Sequence, residues 1–242
     1  LTPTRFVCLD SPPPAPPQNR HHNHHHPRHH HKLLVNPREP FEPYRGTERR
    51  QTTDAVLMVA PVGFQTNAET AQDNYFMQRT GQSASEVERR ALTEFSALHL
   101  ALTRAGVKCV VYSAGRFHRT PDAVFPNNWF STHPPGERGD GQPSTVCFYP
   151  LKTPSRRAER RENIISDLQA RYDAELSFVQ WEQSDFPHFL ESTGVLILDR
   201  VRRVAYAALS KRCYKRIAHT WAARMGYELV LFRARDVHGR PI

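Results

Sequence analysis

No apolar run in the sequence approaches the ~20 residues that a helix needs to cross a bilayer, so the reading excludes a helical membrane protein. It expects a soluble chain with no membrane partner. The cysteines number four, and Cys8, Cys109, Cys147 and Cys213 share no C-x-x-C or Cys/His ligand spacing, which removes the usual signature of a zinc module. Cys109 and Cys147 lie in apolar runs and read as buried thiols, a usage that fits a reducing compartment and favours the cytoplasm. Cys213 stands among Lys211, Arg212 and Lys215, a setting open to a lowered thiol pKa, yet no base is identifiable beside it. A glycine-rich loop and an RNP-like aromatic pattern are both missing, so the usual companions of a nucleic-acid surface are absent. A starting methionine is missing too: the chain opens on Leu1, reads as cut at its front, and offers no targeting segment to judge.

What is present begins with charge. The formal net charge of +9 suggests a polyanion partner until it is divided. Residues 1–53 hold eight Lys/Arg against four Asp/Glu, and the remainder 25 against 20. The densest cluster, Arg156-Arg157-Ala158-Glu159-Arg160-Arg161-Glu162, is interleaved with acids and reads as the solvated first turn of a helix. Nucleic acid is therefore not the partner this balance favours.

Residues 1–53 read as a disordered Pro/His-rich tail. They carry Pro12-Pro13-Pro14-Ala15-Pro16-Pro17 and eight histidines between His21 and His31, and nothing in them can bury an apolar face. The histidine tract is open to two readings, a flexible ligand for zinc, nickel or copper and unselected low-complexity sequence. No metal site is assigned.

From residue 54 the pattern is orderly. A continuous apolar run over 55–60 reads as a buried strand stopped by Pro61. The stripe Val87, Ala91, Phe95, Leu98, Leu102 and Ala105 predicts a helix, capped by Ser85 with Glu88 and ended by Gly106, before a strand over 107–112. A second unit reads as a strand over 144–149, a helix from Ser155 to about Tyr172, and a strand over 175–180. A third reads as a hairpin of 195–198 with 204–209, a helix over 212–225 closed by Gly226, and a strand over 227–232. Three strand–helix–strand units argue for a repeated α/β architecture.

One stretch does not fit the role of connector. Phe125-Pro126-Asn127-Asn128-Trp129-Phe130-Ser131-Thr132-His133 sets two carboxamides behind a proline and between aromatics able to wall off water. Pro-Asn-Asn is also ordinary turn chemistry. Taken with Phe189-Leu190-Glu191-Ser192-Thr193-Gly194, with Ala60-Pro61-Val62-Gly63-Phe64 and Asn67-Ala68-Glu69-Thr70-Ala71, and with Leu198-Asp199-Arg200, the stretch resembles the guanidino-group modifying enzymes of the pentein superfamily. The likeness is to the citrulline-hydrolase branch often labelled amidinotransferase, and it runs from about residue 55 to the end.

That resemblance implies a five-bladed α/β propeller with its active site in the central channel. Residues 54–242 would then be a partial domain of about three blades and the start of a fourth. It implies cofactor-independent covalent catalysis at a ureido or guanidino carbon of a citrulline- or arginine-like substrate. The histidine would follow Gly239-Arg240-Pro241-Ile242 and the cysteine would lie further on, so the chain as given is expected to be inactive. Glu191 would orient the histidine; the alternative is an acid satisfied by backbone donors of its own turn. Asn127 and Asn128 fall where arginine-deiminase relatives carry Arg-Asp, which leans toward a neutral ureido group. Phe125 and Asp122 would complete the pocket, although Thr120-Pro121-Asp122 is equally a plain turn. Asn67, Thr70, Asn74 and Phe76 would hold the substrate's amino-acid end, or else pin their own loop. His133 and His188 match no family position and read as surface histidines. The other readings are a non-catalytic ligand-binding or interaction protein, whose open edge would need a partner or a second copy in a homo-oligomer, and a basic nucleic-acid-binding protein.

Overall fold

The computed structural model describes residues 49–71, 81–113, 116–139, 141–236 and 238–239. The histidine tract, Asn74 and Phe76 lie outside them. Among the described residues, eight strands form three small sheets. β1 (Ala55–Ala60) is parallel to β2 (Lys108–Ser113), with α1 (Ala84–Arg104) in the crossover. β3 (Phe130–His133) pairs antiparallel with β4 (Thr145–Phe148), which pairs parallel with β5 (Ala174–Ser177) across α2 (Pro154–Arg157) and α3 (Glu162–Gln169). The third sheet repeats that order with β6 (Leu196–Asp199), β7 (Val204–Ala208), α4 (Lys215–Met225) and β8 (Glu228–Phe232). The three strand–helix–strand units expected from periodicity are present. β3 was not expected, because its residues belong to the aromatic stretch read as a site loop.

Two cores separate the sheets, and β4 serves both. Val146 and Phe148 join Leu57, Phe95, Val110, Trp129 and Ile164 on one side. Cys147 and Tyr149 join Leu196, Leu198, Ala205, Ile217 and Trp221 on the other. Alternate residues of a strand point to opposite faces, so an unbroken apolar run is what burial on both faces requires. Trp129 and Phe130, expected to screen a site from water, are core residues, Trp129 stacked on Phe148 and tilted against Phe130. Gln51, placed in the tail by the sequence, spans to the third sheet: its side chain donates to the Leu198 carbonyl at 2.8 Å and accepts from the Arg200 amide at 2.8 Å.

Several boundaries move for local reasons. Ser83, not Ser85, caps α1 by accepting from the Glu86 amide. Glu88 instead turns inward, where it accepts from the Gly63 amide at 2.8 Å. The single helix expected from Ser155 to Tyr172 breaks into α2 and α3, and its basic cluster is not a solvated face. Arg156 and Glu159 are buried. Arg157 donates to the carbonyls of Leu151 and Lys152, Arg160 to that of Tyr149 and to Glu182, and Arg161 to that of Ser113. These guanidinium groups satisfy carbonyls that connecting loops leave unpaired. α4 starts at Lys215 rather than Arg212 because residues 212–214 pair first with 189–191. Gly226 ends it at φ 71°, where a Cβ would stand 2.3 Å from the Arg138 carbonyl oxygen.

At the hairpin ends of the second and third sheets lies a polar knot. Glu137 accepts from Arg200 at 2.7 and 2.8 Å, meets His133 Nδ1 at 2.7 Å, and accepts from the Tyr227 hydroxyl. His133 Nε2 lies 2.7 Å from Ser131 Oγ, which is 2.7 Å from the Tyr149 hydroxyl; Trp221 donates to that hydroxyl at 2.9 Å. His133 is therefore fully buried, not a surface histidine. Its strand position points it between sheets, and every polar atom it brings finds a partner. Burial lowers its pKa against the pull of Glu137. Burial works against the charge of Glu137 as well, but His133, Arg200 and the hydrogen bonds from His133 and Tyr227 hold its carboxyl below the usual range. The Ser131–His133–Glu137 line has the order of a nucleophile, base and carboxylate. Its hydroxyl is already bonded to Tyr149 and sealed from solvent, so the line locks two sheets together rather than attacking a substrate.

Candidate active site

The loops that follow β1, β4 and β7 leave the carboxyl ends of parallel strands, where ligands bind in open α/β sheets. The loops that enter β3 and β6 arrive at the same end. Each of those two entering loops is a single 3-10 turn, Pro126–Asn128 and Ser192–Gly194, and the two turns are in contact. Asn127 Nδ2 donates to Thr193 Oγ1 and to Asn128 Oδ1, both at 3.1 Å, and Thr193 Oγ1 donates back to the Asn127 carbonyl at 3.2 Å. Asn128 is buried against Gly194: a Cβ there would sit 3.0 Å from both polar atoms of the amide. The two motifs singled out in the sequence thus form one surface. Asn127 is exposed, and the side chain of Phe125 is half exposed.

Three carboxylates stand behind this surface, all buried. Asp122 accepts from Asn67 Nδ2 at 2.8 Å and Thr70 Oγ1 at 3.0 Å. It is not an isolated turn residue. Asn67 also donates to Ser155 Oγ at 3.0 Å, so Asn67 and Thr70 spend their donors on Asp122 and the α2 start instead of presenting them to solvent. Glu191 Oε1 accepts from the Lys152 amide at 3.1 Å, and Arg212 approaches Oε2 at 3.7 Å. The carboxylate makes no capping bond to its own turn; its donor comes from the loop after β4. Its backbone is fixed by donation to the Arg212 carbonyl and by the bridge between Leu190 and Cys213.

Glu159 is the third carboxylate, and sequence reasoning missed it together with Arg156. Arg156 donates to the Phe125 carbonyl at 3.1 Å, and its Nε lies 2.6 Å from Glu159 Oε1. The two form a buried ion pair, although Nε and both Glu159 oxygens fall outside hydrogen-bond geometry. Burial pushes the Glu159 carboxyl up to about 8; Arg156 opposes the rise, and the charges of Asp122 and Glu191 add to it. The buried hydroxyl of Ser192 is likewise unpartnered. At the rim, burial and the neighbouring Lys211 lower the Lys152 pKa while Glu191 supports it. A sequence signal for this group existed in its position: residues 152–159 directly follow the carboxyl end of a buried strand.

None of the three described cysteines suits nucleophilic attack. Cys213 is buried at the Leu190 bridge and its thiol is pushed up to about 11, overturning the lowered pKa its basic neighbours suggested. Burial pushes Cys147 to about 12 and raises half-buried Cys109 as well. His188 is half-buried between the rings of Trp181 and Tyr214. Among the described residues, no group of three or more His, Cys, Asp and Glu could hold a metal ion, and no helix is long and apolar enough to cross a membrane.

Solved structures share this fold at low identity. The N-terminal domain of ArgZ bound to substrate, an arginine dihydrolase from the ornithine–ammonia cycle in cyanobacteria, matches at 17% identity and TM-score 0.51, over 76% of this chain and 59% of that one. Dimethylarginine dimethylaminohydrolase from Pseudomonas aeruginosa, complexed with citrulline, matches at 16% identity and TM-score 0.51, over 74% and 60%. The chain spans about 60% of the length of these structures. No curated protein matches it. A family model that matches residues 60–242 makes the chain a member of the guanidino-group modifying, or pentein, superfamily. More narrowly, the family model described as N,N dimethylarginine dimethylhydrolase, eukaryotic, matches residues 60–242, and the chain belongs to that family.

Proposed function

We propose that this chain carries the substrate-holding part of a hydrolase that cleaves a C–N bond of a guanidino compound, an arginine or methylated arginine. The observation that carries this is the buried trio Asp122, Glu159 and Glu191 against one buried guanidinium, Arg156. Uncompensated buried carboxylates are costly, and a guanidinium ligand offers planar N–H pairs and the charge they lack. The lean toward a neutral ureido substrate rested on the amides of Asn127 and Asn128. Of those amides, Asn127 Nδ2 and Asn128 Oδ1 bond to each other and Asn127 Nδ2 also to Thr193; the buried carboxylates beside them favour a cation over a neutral group. The cations Lys152, Lys211 and Arg212 around Glu191 suit the carboxylate end of an amino acid.

In this reading Glu191 orients a histidine that moves protons for a cysteine thiolate, both supplied from outside the described residues. No cofactor enters the scheme. The propeller arrangement, with the three sheets as successive blades around the site, belongs to the same proposal and draws support from the shared order of the second and third sheets.

Titration calorimetry with N,N-dimethylarginine, arginine and citrulline tests it. The two cations should bind more tightly than citrulline. Asp122→Asn should weaken the cations by roughly 10- to 100-fold, the worth of a hydrogen bond to a charged group. Tighter binding of citrulline, or no heat from any of the three, would refute the reading.

A further inference from the structure

Two helices of the chain lie against the sheet of the unit before their own. α3 meets the first sheet: Arg161 at its start donates to the Ser113 carbonyl at 2.6 Å and lies over the Tyr112 ring, whose hydroxyl donates to Asp167. α4 meets the second sheet: Trp221 donates to the Tyr149 hydroxyl at 2.9 Å, and the Arg224 guanidinium stands 5.7 Å from the centre of the Phe178 ring. Cys147, Tyr149 and Phe178 are fully buried there.

The third sheet presents the same face to solvent. Matching the row Ser131–Cys147–Leu176 to the row Ile197–Tyr206–Val230 sets Ala208 and Phe232 at the places of Tyr149 and Phe178. Ile197 is 65% exposed, and Tyr206, Val230 and Phe232 are exposed as well. α1 has the converse deficit. Left-handed glycines, Gly106 and Gly226, follow α1 and α4, each two residues before the next strand. Aligning them sets Ala97, Leu98, Ala101 and Arg104 at the places of Ile217, Ala218, Trp221 and Arg224. The α4 apolar residues are buried, whereas all four on α1 are exposed. The two open faces are complementary. Under Trp221 the second sheet carries the small Ser131 and Cys147; the third sheet carries the larger Ile197 and Tyr206, and α1 brings the small Ala101. Arg104 and Phe232 are the counterparts of the Arg224–Phe178 cation–π pair.

We infer that the third sheet of one copy receives α1 of a second copy, as the second sheet receives α4 within the chain. Both faces are open in a single chain, so they do not meet inside it. The contact is head-to-tail, each copy giving α1 to one neighbour and its third sheet to another. The inference stands on the repeat of the sheets and is independent of the guanidino reading.

Sedimentation velocity of the 242-residue chain across a range of concentrations tests it. The average mass should rise with concentration beyond that of one copy. Ala101→Glu and Tyr206→Glu each put a charge into the apolar contact, and each variant should stay monomeric on its own. Both positions face solvent in the single chain, so circular dichroism should show wild-type folding. Mixed one to one, the variants should form a complex of two chains and no larger, because one keeps an intact third sheet and the other an intact α1. A wild-type chain that stays monomeric at every concentration, association that either variant leaves intact, or a mixture that fails to combine would overturn the inference.

Discussion

Replacing Glu137 by Gln tests whether the hairpin-end knot holds the second and third sheets together. The substitution keeps the shape of the side chain and removes its charge. Arg200, buried, would then face an amide with one acceptor oxygen where it now meets two carboxylate oxygens at 2.7 and 2.8 Å, and His133 and Tyr227 would compete for that same atom. Breaking a buried pair by removing one partner costs about 3–5 kcal/mol. That is a large part of the ~5–15 kcal/mol that holds an ordinary domain. Urea unfolding followed by circular dichroism at pH 7 should show this loss at unchanged m-value. The pH dependence has a definite sign. The carboxyl of Glu137 lies below its ordinary value in the folded chain, so its contribution is present above about pH 4.5 and is lost as pH falls below that. The gap between wild type and variant should therefore narrow in acid. A variant within about 1 kcal/mol of wild type at pH 7, or a gap that widens as pH falls, would refute the reasoning. The surface pair Arg202–Asp199, with Arg202 81% exposed, is the control: Asp199→Asn should leave the midpoint where it is.

Gly194→Ala puts a methyl group 3.0 Å from the Asn128 amide. It should cost about 1–2 kcal/mol in urea unfolding, as overpacking does, and weaken dimethylarginine binding measured by calorimetry; unchanged affinity would dissociate the Asn128–Gly194 contact from the site. Thiol labelling of the native chain at pH 8, read by mass spectrometry of the peptides, should modify Cys109 well before Cys147 or Cys213, whose thiols lie near 12 and 11; early labelling of Cys213 would contradict its burial. In the active enzyme, Glu191→Gln should lower kcat by at least ~100-fold with a smaller change in KM. An intact rate would remove the orienting role given to Glu191.

Much of the scaffold was legible because it is written locally. β1, β4 and β7 are apolar runs, α1 and α4 carry 3.6-residue stripes, and Gly226 marks a helix end through its own φ. The pairing of the Asn127–Asn128 stretch with the Glu191 stretch was legible only through the likeness to a family, since 66 residues separate Asn127 from Thr193. The rest depends on partners that no local pattern names. His133 looks like a surface histidine until Glu137 and, from 67 residues away, Arg200 are placed beside it. The run from Arg156 to Glu162 has the composition of a solvated turn. Arg156 and Glu159 within it are buried, and its other guanidinium groups bond backbone carbonyls as far away as Ser113, 48 residues earlier. Glu159 was missed for the same reason, as its character comes from burial beside Asp122 and Glu191. Cys213 shows the converse: its basic neighbours in sequence suggested an activated thiol, and burial at the Leu190 bridge outweighs them.

The most direct test of the central claim, that the loops at the carboxyl ends of β1, β4 and β7 and the entries to β3 and β6 build one guanidino-binding site, is an NMR titration of the ¹⁵N-labelled chain with N,N-dimethylarginine. The account predicts that the backbone amides of Asn128, Lys152 and Gly194 shift together along one binding curve, with the amides of the Glu137 knot unmoved. Shifts confined to other surfaces, or none at saturating ligand, would contradict it.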